Sequence, residues 1–77
     1  MTTGYILIRT EPGSIREVFY ALRDIEGLVE AHPVIGRYNI MAKVKAEKFE
    51  QLAYIIIDKI SSMNSVKSTE TLIEVSF

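Results

Sequence analysis

The sequence contains no cysteine and only one histidine, His32. Without cysteine the chain forms no disulfide, thiolate zinc site or iron–sulfur cluster, and it has no thiol nucleophile. One histidine cannot form a multi-histidine metal site within a subunit, so we expect neither a metal nor a cofactor. A domain of 77 residues buries only about 60% of the surface that its unfolded chain exposes. Self-association is therefore the remaining route to additional stability.

The sequence also lacks an excess of charge of one sign and a long apolar run. Nine basic and ten acidic residues give a formal net charge of −1, whereas nucleic-acid binders usually carry a basic stripe. No apolar run approaches the roughly eighteen residues that span a bilayer, and the N-terminus lacks the pattern of a signal peptide. We expect a cytoplasmic protein that contacts neither nucleic acid nor membrane directly.

Hydrophobic periodicity and breaker residues divide the chain into six elements. Pro12 and Gly13 end the first strand, and Pro33 marks the second as an edge strand because proline donates no ladder hydrogen bond. The predicted elements are a strand over 5–10, a helix over 15–25, strands over 28–34 and 38–45, a helix over 47–61 and a strand over 66–77. A tight connection of about three residues, 35–37, joins the second and third strands.

Local signals mark the helix ends. Ser14 and Glu17 have the spacing of a capping box, in which the hydroxyl and the carboxylate satisfy free amides of the first turn. Gly27 follows the first apolar stripe, and Asn64 follows the second, at positions where a left-handed residue commonly ends a helix. In the second helix the predicted core-facing stripe is Phe49, Leu52, Ala53, Ile56, Ile60 and Met63.

The order strand, helix, strand, strand, helix, strand predicts the α+β class. Right-handed connections place both helices on one face of a single sheet. This is the ferredoxin-like βαββαβ arrangement with a four-stranded antiparallel sheet, formed by a single domain over residues 1–77.

The second face of that sheet should be polar in a monomer, but the sequence puts apolar residues on it. Both sides of the first strand are apolar, since Tyr5 and Leu7 alternate with Ile6 and Ile8. Met41 and Leu72 extend this pattern to the third and fourth strands, and Tyr54, Ile55 and Ile57 fall off the core stripe of the second helix. A contiguous apolar face usually marks a partner site. We expect a dimer that packs sheet to sheet.

Five segments in this order and spacing resemble one known family, the effector-binding or RAM domain of the Lrp/AsnC transcription regulators. The segments are 5–8, 11–13, 30–32, 36–44 and 66–71. The resemblance covers nearly the whole chain, from Gly4 to Val75. Family regulators carry a helix-turn-helix domain ahead of this module. Because the present sequence has none, it is similar to the stand-alone version.

The resemblance implies rings of dimers that bind small effectors, typically amino acids, between subunits. It also implies co-assembly with full-length regulators of the family. The residues it assigns to ligand binding are Gly36, Arg37, Tyr38, Asn39, Ser68, Thr69, Glu70 and Thr71. Where the family usually has aspartate, this chain has Asn39, a neutral acceptor for an ammonium group. Glu70 is a candidate source of the missing charge.

Other interpretations remain open at the level of sequence. Gly36 can be a simple turn former, Ser68–Thr71 ordinary edge-strand residues, and the chain an assembly module without a ligand. Glu30 and His32 share one strand face, two residues apart, as a metal or acid–base pair would. The alternative function is a cofactor-free enzyme of the dimeric α+β barrel type, which requires a cavity around His32. We expect no enzyme and no catalytic residue.

Overall fold

A computed structural model describes all 77 residues as one sheet covered by helices on one face. The elements are β1 (Thr2–Thr10), α1 (Ile15–Leu22), β2 (Leu28–Pro33), β3 (Ile40–Ala46), α2 (Phe49–Tyr54), a π-helical segment (Ile55–Ile60) and β4 (Val66–Ile73). The strand order is β2-β3-β1-β4, and every neighbouring pair is antiparallel. The predicted ferredoxin-like fold is confirmed, with β2 at an edge. No helical segment is long and apolar enough to cross a membrane.

The pleat of the sheet determines which side chains form the core. Ile6 and Ile8 are fully buried beneath the helices, whereas Tyr5 and Leu7 point to the uncovered face. The apolar core comprises Ile6, Ile8, Val18, Leu22, Ile40, Ala42, Val44, Ala46, Leu52, Ile55, Ile56 and Ile60. Because β1 and β3 lie at the centre of the sheet, their inward residues supply half of this core.

The uncovered side of the sheet, hereafter the open face, is less apolar than predicted. The strand register determines which side chains lie on this face. They are Tyr5, Leu7, Arg9, Glu30, His32, Met41, Lys43, Ser68, Glu70 and Leu72. Four of these are apolar or aromatic, and most of the others are charged. The open face is therefore a mixed surface in which apolar side chains lie between ionic ones.

The structure corrects the predicted start and end of the first helix. Ser14 has φ −107° and ψ 9°, outside the extended region typical of a capping residue, and its side chain makes no capping hydrogen bond. Glu17 instead accepts a hydrogen bond from the hydroxyl of Ser65 at 3.3 Å. The helix ends at Leu22, and a series of turns leads from there to β2. The capping-box prediction is wrong because Glu17 contacts the segment before β4.

The second helix changes its hydrogen-bonding pattern halfway. From Ile55 the backbone adopts the wider π-helical spacing, and the amide of Ser61 donates to the carbonyl of Ile56, five residues earlier, at 2.8 Å. This insertion rotates the later side chains. Ile55 is buried three residues after Leu52, although the prediction placed it off the core stripe, whereas Phe49, predicted to lie in that stripe, precedes the insertion and is 58% exposed.

The predicted left-handed residue at Asn64 is also wrong. No residue other than glycine has a positive φ. Two successive turns make the exit from the helix, with Met63 N donating to Ile60 O and Val66 N donating to Met63 O, both at 3.1 Å. These bonds carry the chain into β4 without a left-handed residue.

Each of the four strands differs from its predicted limits at one end or both. β1 begins earlier, at Thr2, and β4 ends earlier, at Ile73. β2 ends at Pro33 and β3 begins at Ile40, so their connection is six residues long, 34–39, rather than three. Tyr38 therefore belongs to this loop rather than to β3, contrary to its place in the predicted alternation.

Gly27 is confirmed as a left-handed residue, although it lies five residues beyond the end of α1. Its φ is +95°, and its carbonyl accepts a hydrogen bond from Lys45 N at 2.9 Å. A Cβ at this position would lie only 2.7 Å from the carbonyl oxygen of Lys45. The turn before β2 therefore packs directly against the backbone of β3.

We expect Gly27→Ala to lower the free energy of unfolding by about 2–4 kcal/mol, because it combines left-handed strain with a backbone clash. Gly13→Ala is the matched control, since Gly13 has φ +82° but open space around it. Its cost should be only about 1–2 kcal/mol. Urea denaturation followed by circular dichroism at one protein concentration measures both values, and equal losses would contradict the packing argument.

Candidate functional site

The β2–β3 loop is fastened to the end of β1 through Asn39. The amide of Asn39 donates to the carbonyl of Ile8 at 2.8 Å, and its side-chain Oδ1 accepts from the amide of Thr10, also at 2.8 Å. The carbonyl of Asn39 accepts from Val34 N at 2.8 Å and closes the loop. Asn39 therefore positions the loop, and one lone pair of its side-chain oxygen is already used.

A concave, solvent-open pocket of about 430 Å³ lies between this loop and the turn that follows β1. We call it the loop pocket. Its lining is Arg9, Thr10, Glu11, Pro12, Gly13, Ile15, Gly36, Arg37, Asn39 and Lys67. Its volume lies within the usual range for small-molecule sites. Three of the predicted ligand-binding residues thus come together in one cavity.

Two side-chain contacts connect the loop to the open face. The Nε and Nη2 of Arg9 donate to the carbonyl of Arg37 at 3.3 and 3.1 Å. The hydroxyl of Tyr38 donates to Oε1 of Glu70 at 2.5 Å. Glu70 does not line the loop pocket, so within one chain it does not supply the carboxylate that Asn39 lacks.

The four predicted residues of β4 do not form one group. Ser68 pairs with Arg9 and lies with Glu70 on the open face. Thr69 is on the helix-facing side, where its hydroxyl lies 3.2 Å from that of Ser61. Thr71 lines an apolar groove beside the second helix. In a single chain the eight predicted residues therefore lie in three places.

Sequence reasoning missed three of the four charged residues of the loop pocket. Arg9 is the last residue but one of β1, Glu11 follows the strand, and Lys67 directly precedes the predicted Ser68–Thr71 stretch. The signal that could have found them is topological. In a β2-β3-β1-β4 antiparallel sheet, the end of β1 lies beside the starts of β3 and β4.

Hydrogen bonds to carboxylates raise the pKa of two tyrosines. The bond from Tyr38 to Glu70 is the largest cause of the raised pKa of Tyr38, followed by desolvation and the negative charge of Glu70, while Arg37 and Arg9 act in the opposite direction. The pKa of Tyr5 is raised in the same way by its 2.7 Å bond to Glu74. Both phenols are therefore held in the neutral, donating form.

The histidine–carboxylate pair lies at the surface, apart from every pocket. His32 Nε2 lies 2.8 Å from Oε1 of Glu30, and both side chains are about half exposed. No pocket includes His32, and no group of three or more potential ligands lies close enough to hold a metal ion. The cavity around His32 that the enzyme alternative required is absent.

The sequence matches one known protein family. The family model described as the Lrp/AsnC ligand binding domain matches residues 3–76. The chain belongs to the Lrp/AsnC family. An uncharacterised HTH-type transcriptional regulator of Pyrococcus horikoshii is 37% identical over 75 residues, covering 94% of this chain and 50% of the regulator. The Lrp/AsnC chain described here thus spans about half the length of the curated relatives it matches.

Solved structures of related proteins have the same fold as this chain. The crystal structure of FFRP-DM1 superposes with a TM-score of 0.94 at 33% identity, covering 97% of this chain and all of that one. AsnC of Escherichia coli gives 0.91 at 26% identity, covering 99% of this chain and 52% of AsnC. A feast or famine regulatory protein of M. tuberculosis complexed with L-methionine shares the fold, with a TM-score of 0.84 at 17% identity.

These matches decide between the two function classes considered from the sequence. The Lrp/AsnC family model is that of a ligand-binding domain, and the curated relatives are transcriptional regulators rather than enzymes. The family resemblance found in the sequence is confirmed. The enzyme alternative is wrong.

We expect Glu70→Gln to return the pKa of Tyr38 toward its ordinary value of 10.0, because it removes the charged acceptor that favours the neutral phenol. Ultraviolet difference absorbance during alkaline titration measures the change, and Tyr38→Phe identifies the affected group. Glu74→Gln is the matched control, since it should shift Tyr5 instead.

The same contact has a pH-dependent effect on stability. The pKa of Tyr38 is higher in the folded state than in the unfolded state. The hydrogen bond from Tyr38 to Glu70 therefore contributes fully to the free energy of unfolding below pH 10. That contribution is lost as the pH rises through the folded-state pKa. An unchanged tyrosine titration in Glu70→Gln would show that the hydrogen bond does not form in solution.

Proposed function

We propose that this chain is an oligomeric effector-binding module that senses a small, amino-acid-like molecule at the loop pocket. The observation that carries the proposal is the loop pocket itself, which Gly36, Arg37 and Asn39 line in a member of a ligand-binding family. Backbone at a glycine can approach a ligand closely because no side chain intervenes. The guanidinium of Arg37 suits the carboxylate that every free amino acid carries.

Self-association is the second part of the proposal. Only 15 of the 77 residues are buried, which is a small core for an independent domain. The open face adds Tyr5, Leu7, Met41 and Leu72 as apolar surface that a second copy would cover. We infer a sheet-to-sheet dimer and, from the family resemblance, a ring of such dimers.

Association also accounts for the division of the predicted ligand-binding residues. Thr69 and Thr71 lie on the helix-facing side, away from the loop pocket of their own chain. A ligand that contacts both the β2–β3 loop and this stretch of β4 would therefore have to lie between subunits. This supports a site shared by neighbouring copies.

The proposed action follows from mass action. A ligand held between subunits favours the assembly state to which it binds more tightly, and it shifts the population by that difference in affinity. The curated relatives include HTH-type regulators of about twice this length. We propose that the chain works in the cytoplasm and modulates such regulators by co-assembly, without contacting nucleic acid itself.

The direct test is a thermal-shift screen of the twenty amino acids, L-methionine among them, followed by calorimetry on each hit. We expect at least one to raise the unfolding temperature, because a ligand that binds only the folded state stabilises it. Arg37→Gln should weaken that ligand about tenfold or more, as expected for loss of a hydrogen bond to a charged group. Arg23→Gln, at the end of α1 and outside the loop pocket, is the matched control. The absence of any hit would overturn the amino-acid assignment.

The sheet-to-sheet dimer is tested by placing a charge at its centre. Leu7 lies between Met41 and Glu70 on the open face, so Leu7→Glu would bury an unpaired carboxylate next to another. We expect association to weaken at least about tenfold in sedimentation velocity experiments. Tyr20→Glu, on the exposed side of α1, should leave association unchanged. If the wild-type chain sediments as a folded monomer at micromolar concentration, the dimer is ruled out.

A further inference from the structure

Several cationic side chains that have no carboxylate partner line the loop pocket. Arg9, Arg37 and Lys67 line it, against a single acidic residue, Glu11. The protein contains one ion pair within 4.0 Å, between His32 and Glu30, so none of these four charges is paired. The chain as a whole has a net charge of −1. Three unpaired cations around one cavity are therefore a local feature rather than the result of a basic composition.

The backbone holds the guanidinium of Arg9 in place. Two of its five N–H groups donate to the carbonyl of Arg37, which leaves three donors free. Because this contact involves a neutral carbonyl, it orients the side chain without neutralising its charge. A fixed guanidinium with free donors is well suited to a carboxylate, which can accept two parallel hydrogen bonds.

An irregularity in the sheet brings Lys67 to the same place. Arg9 pairs with Ser68, but Thr10 pairs with Val66, so Lys67 is an extra residue on β4 at this point. Such bulges change the direction of a side chain at the edge of a sheet. Lys67 lines the loop pocket as a result.

Glu11 supplies the one carboxylate that lines the pocket. Oδ1 of Asn39 already accepts from Thr10, and Glu70 binds the hydroxyl of Tyr38 outside the pocket. The carboxylate of Glu11 makes no hydrogen bond or ion pair with another side chain. It is therefore the group in the pocket that an ammonium would approach.

From this arrangement we infer that the effector is an acidic amino acid, either aspartate or glutamate. Such a molecule carries two carboxylates and one ammonium, which match three cations and one carboxylate. A neutral amino acid leaves part of the cationic cluster unpaired, and a dicarboxylate without an amine leaves Glu11 unpaired. The inference rests on the proposed function and specifies the substrate class of its site.

The experiment compares five ligands by isothermal titration calorimetry: L-aspartate, L-asparagine, L-glutamate, L-glutamine and glutarate. Each amide matches its acid in size and shape but lacks the second negative charge. We expect one acidic amino acid to bind about tenfold or more tightly than its amide, and more tightly than glutarate. Equal affinity for an acid and its amide would overturn the inference.

Charge-removing variants locate the binding. Lys67→Gln and Arg9→Gln should each bring the preference for acid over amide close to one, whereas Lys59→Gln, outside the loop pocket, should leave it unchanged. Glu11→Gln should weaken the acidic amino acid while affecting glutarate little. Circular dichroism establishes that each variant is folded. A preference for the acid that persists in both Lys67→Gln and Arg9→Gln would contradict binding at this site.

The outcomes separate this inference from the proposed function. If a different amino acid binds, is weakened by Arg37→Gln, and the acidic ones do not bind, the proposed function stands and the acidic effector is wrong. If no amino acid binds, both are wrong.

Discussion

The hydrogen bonds that Asn39 makes to the end of β1 determine the shape of the candidate site. One residue bonds Ile8 through its backbone amide and Thr10 through its side chain, so the β2–β3 loop is held at two points. A partly buried amide left without its acceptor costs roughly 1–3 kcal/mol. Removing the Asn39 side chain would therefore loosen the loop that carries Gly36 and Arg37, while leaving its backbone bond to Ile8 in place. Asn39 acts first as a structural residue.

The fold was predictable because it depends on the spacing of the apolar residues and on the order of the strands and helices. Ile6 and Ile8 share one side of β1, and Ile40, Ala42 and Val44 share one side of β3, as the strand alternation indicated. The structure shows that this is the side covered by the helices, and the element order left one simple topology. The errors occur where a contact distant in sequence replaces a local one. Glu17 binds Ser65, 48 residues away in sequence, rather than the helix start. Period and propensity contain no information about such contacts.

Of the candidate site, only the part formed by the β2–β3 loop could be predicted from the sequence. Gly36, Arg37 and Asn39 were found from the family resemblance, and the structure places all three in the loop pocket. Arg9 and Lys67 belong to no sequence motif that would have marked them as site residues. Their positions follow from strand order and from a bulge, and a bulge changes one register by one residue without a recognisable composition. This is why the charge of the pocket, which bears most directly on the ligand, could not be predicted.

The loop pocket and the open face are physically continuous, which links the two parts of the proposed function. Arg9 belongs to the open face by its pairing with Ser68 and also lines the pocket. Tyr38 leaves the same loop and binds Glu70 on the open face. A ligand that neutralises Arg9 therefore changes the charge of the surface at which a second copy is proposed to pack. By linkage, the effect is reciprocal: whatever ligand binding contributes to assembly, assembly contributes to ligand affinity. The residues proposed to recognise the ligand already lie at the edge of the proposed interface. Ligand binding would therefore act on the association of subunits directly, without a separate conformational switch.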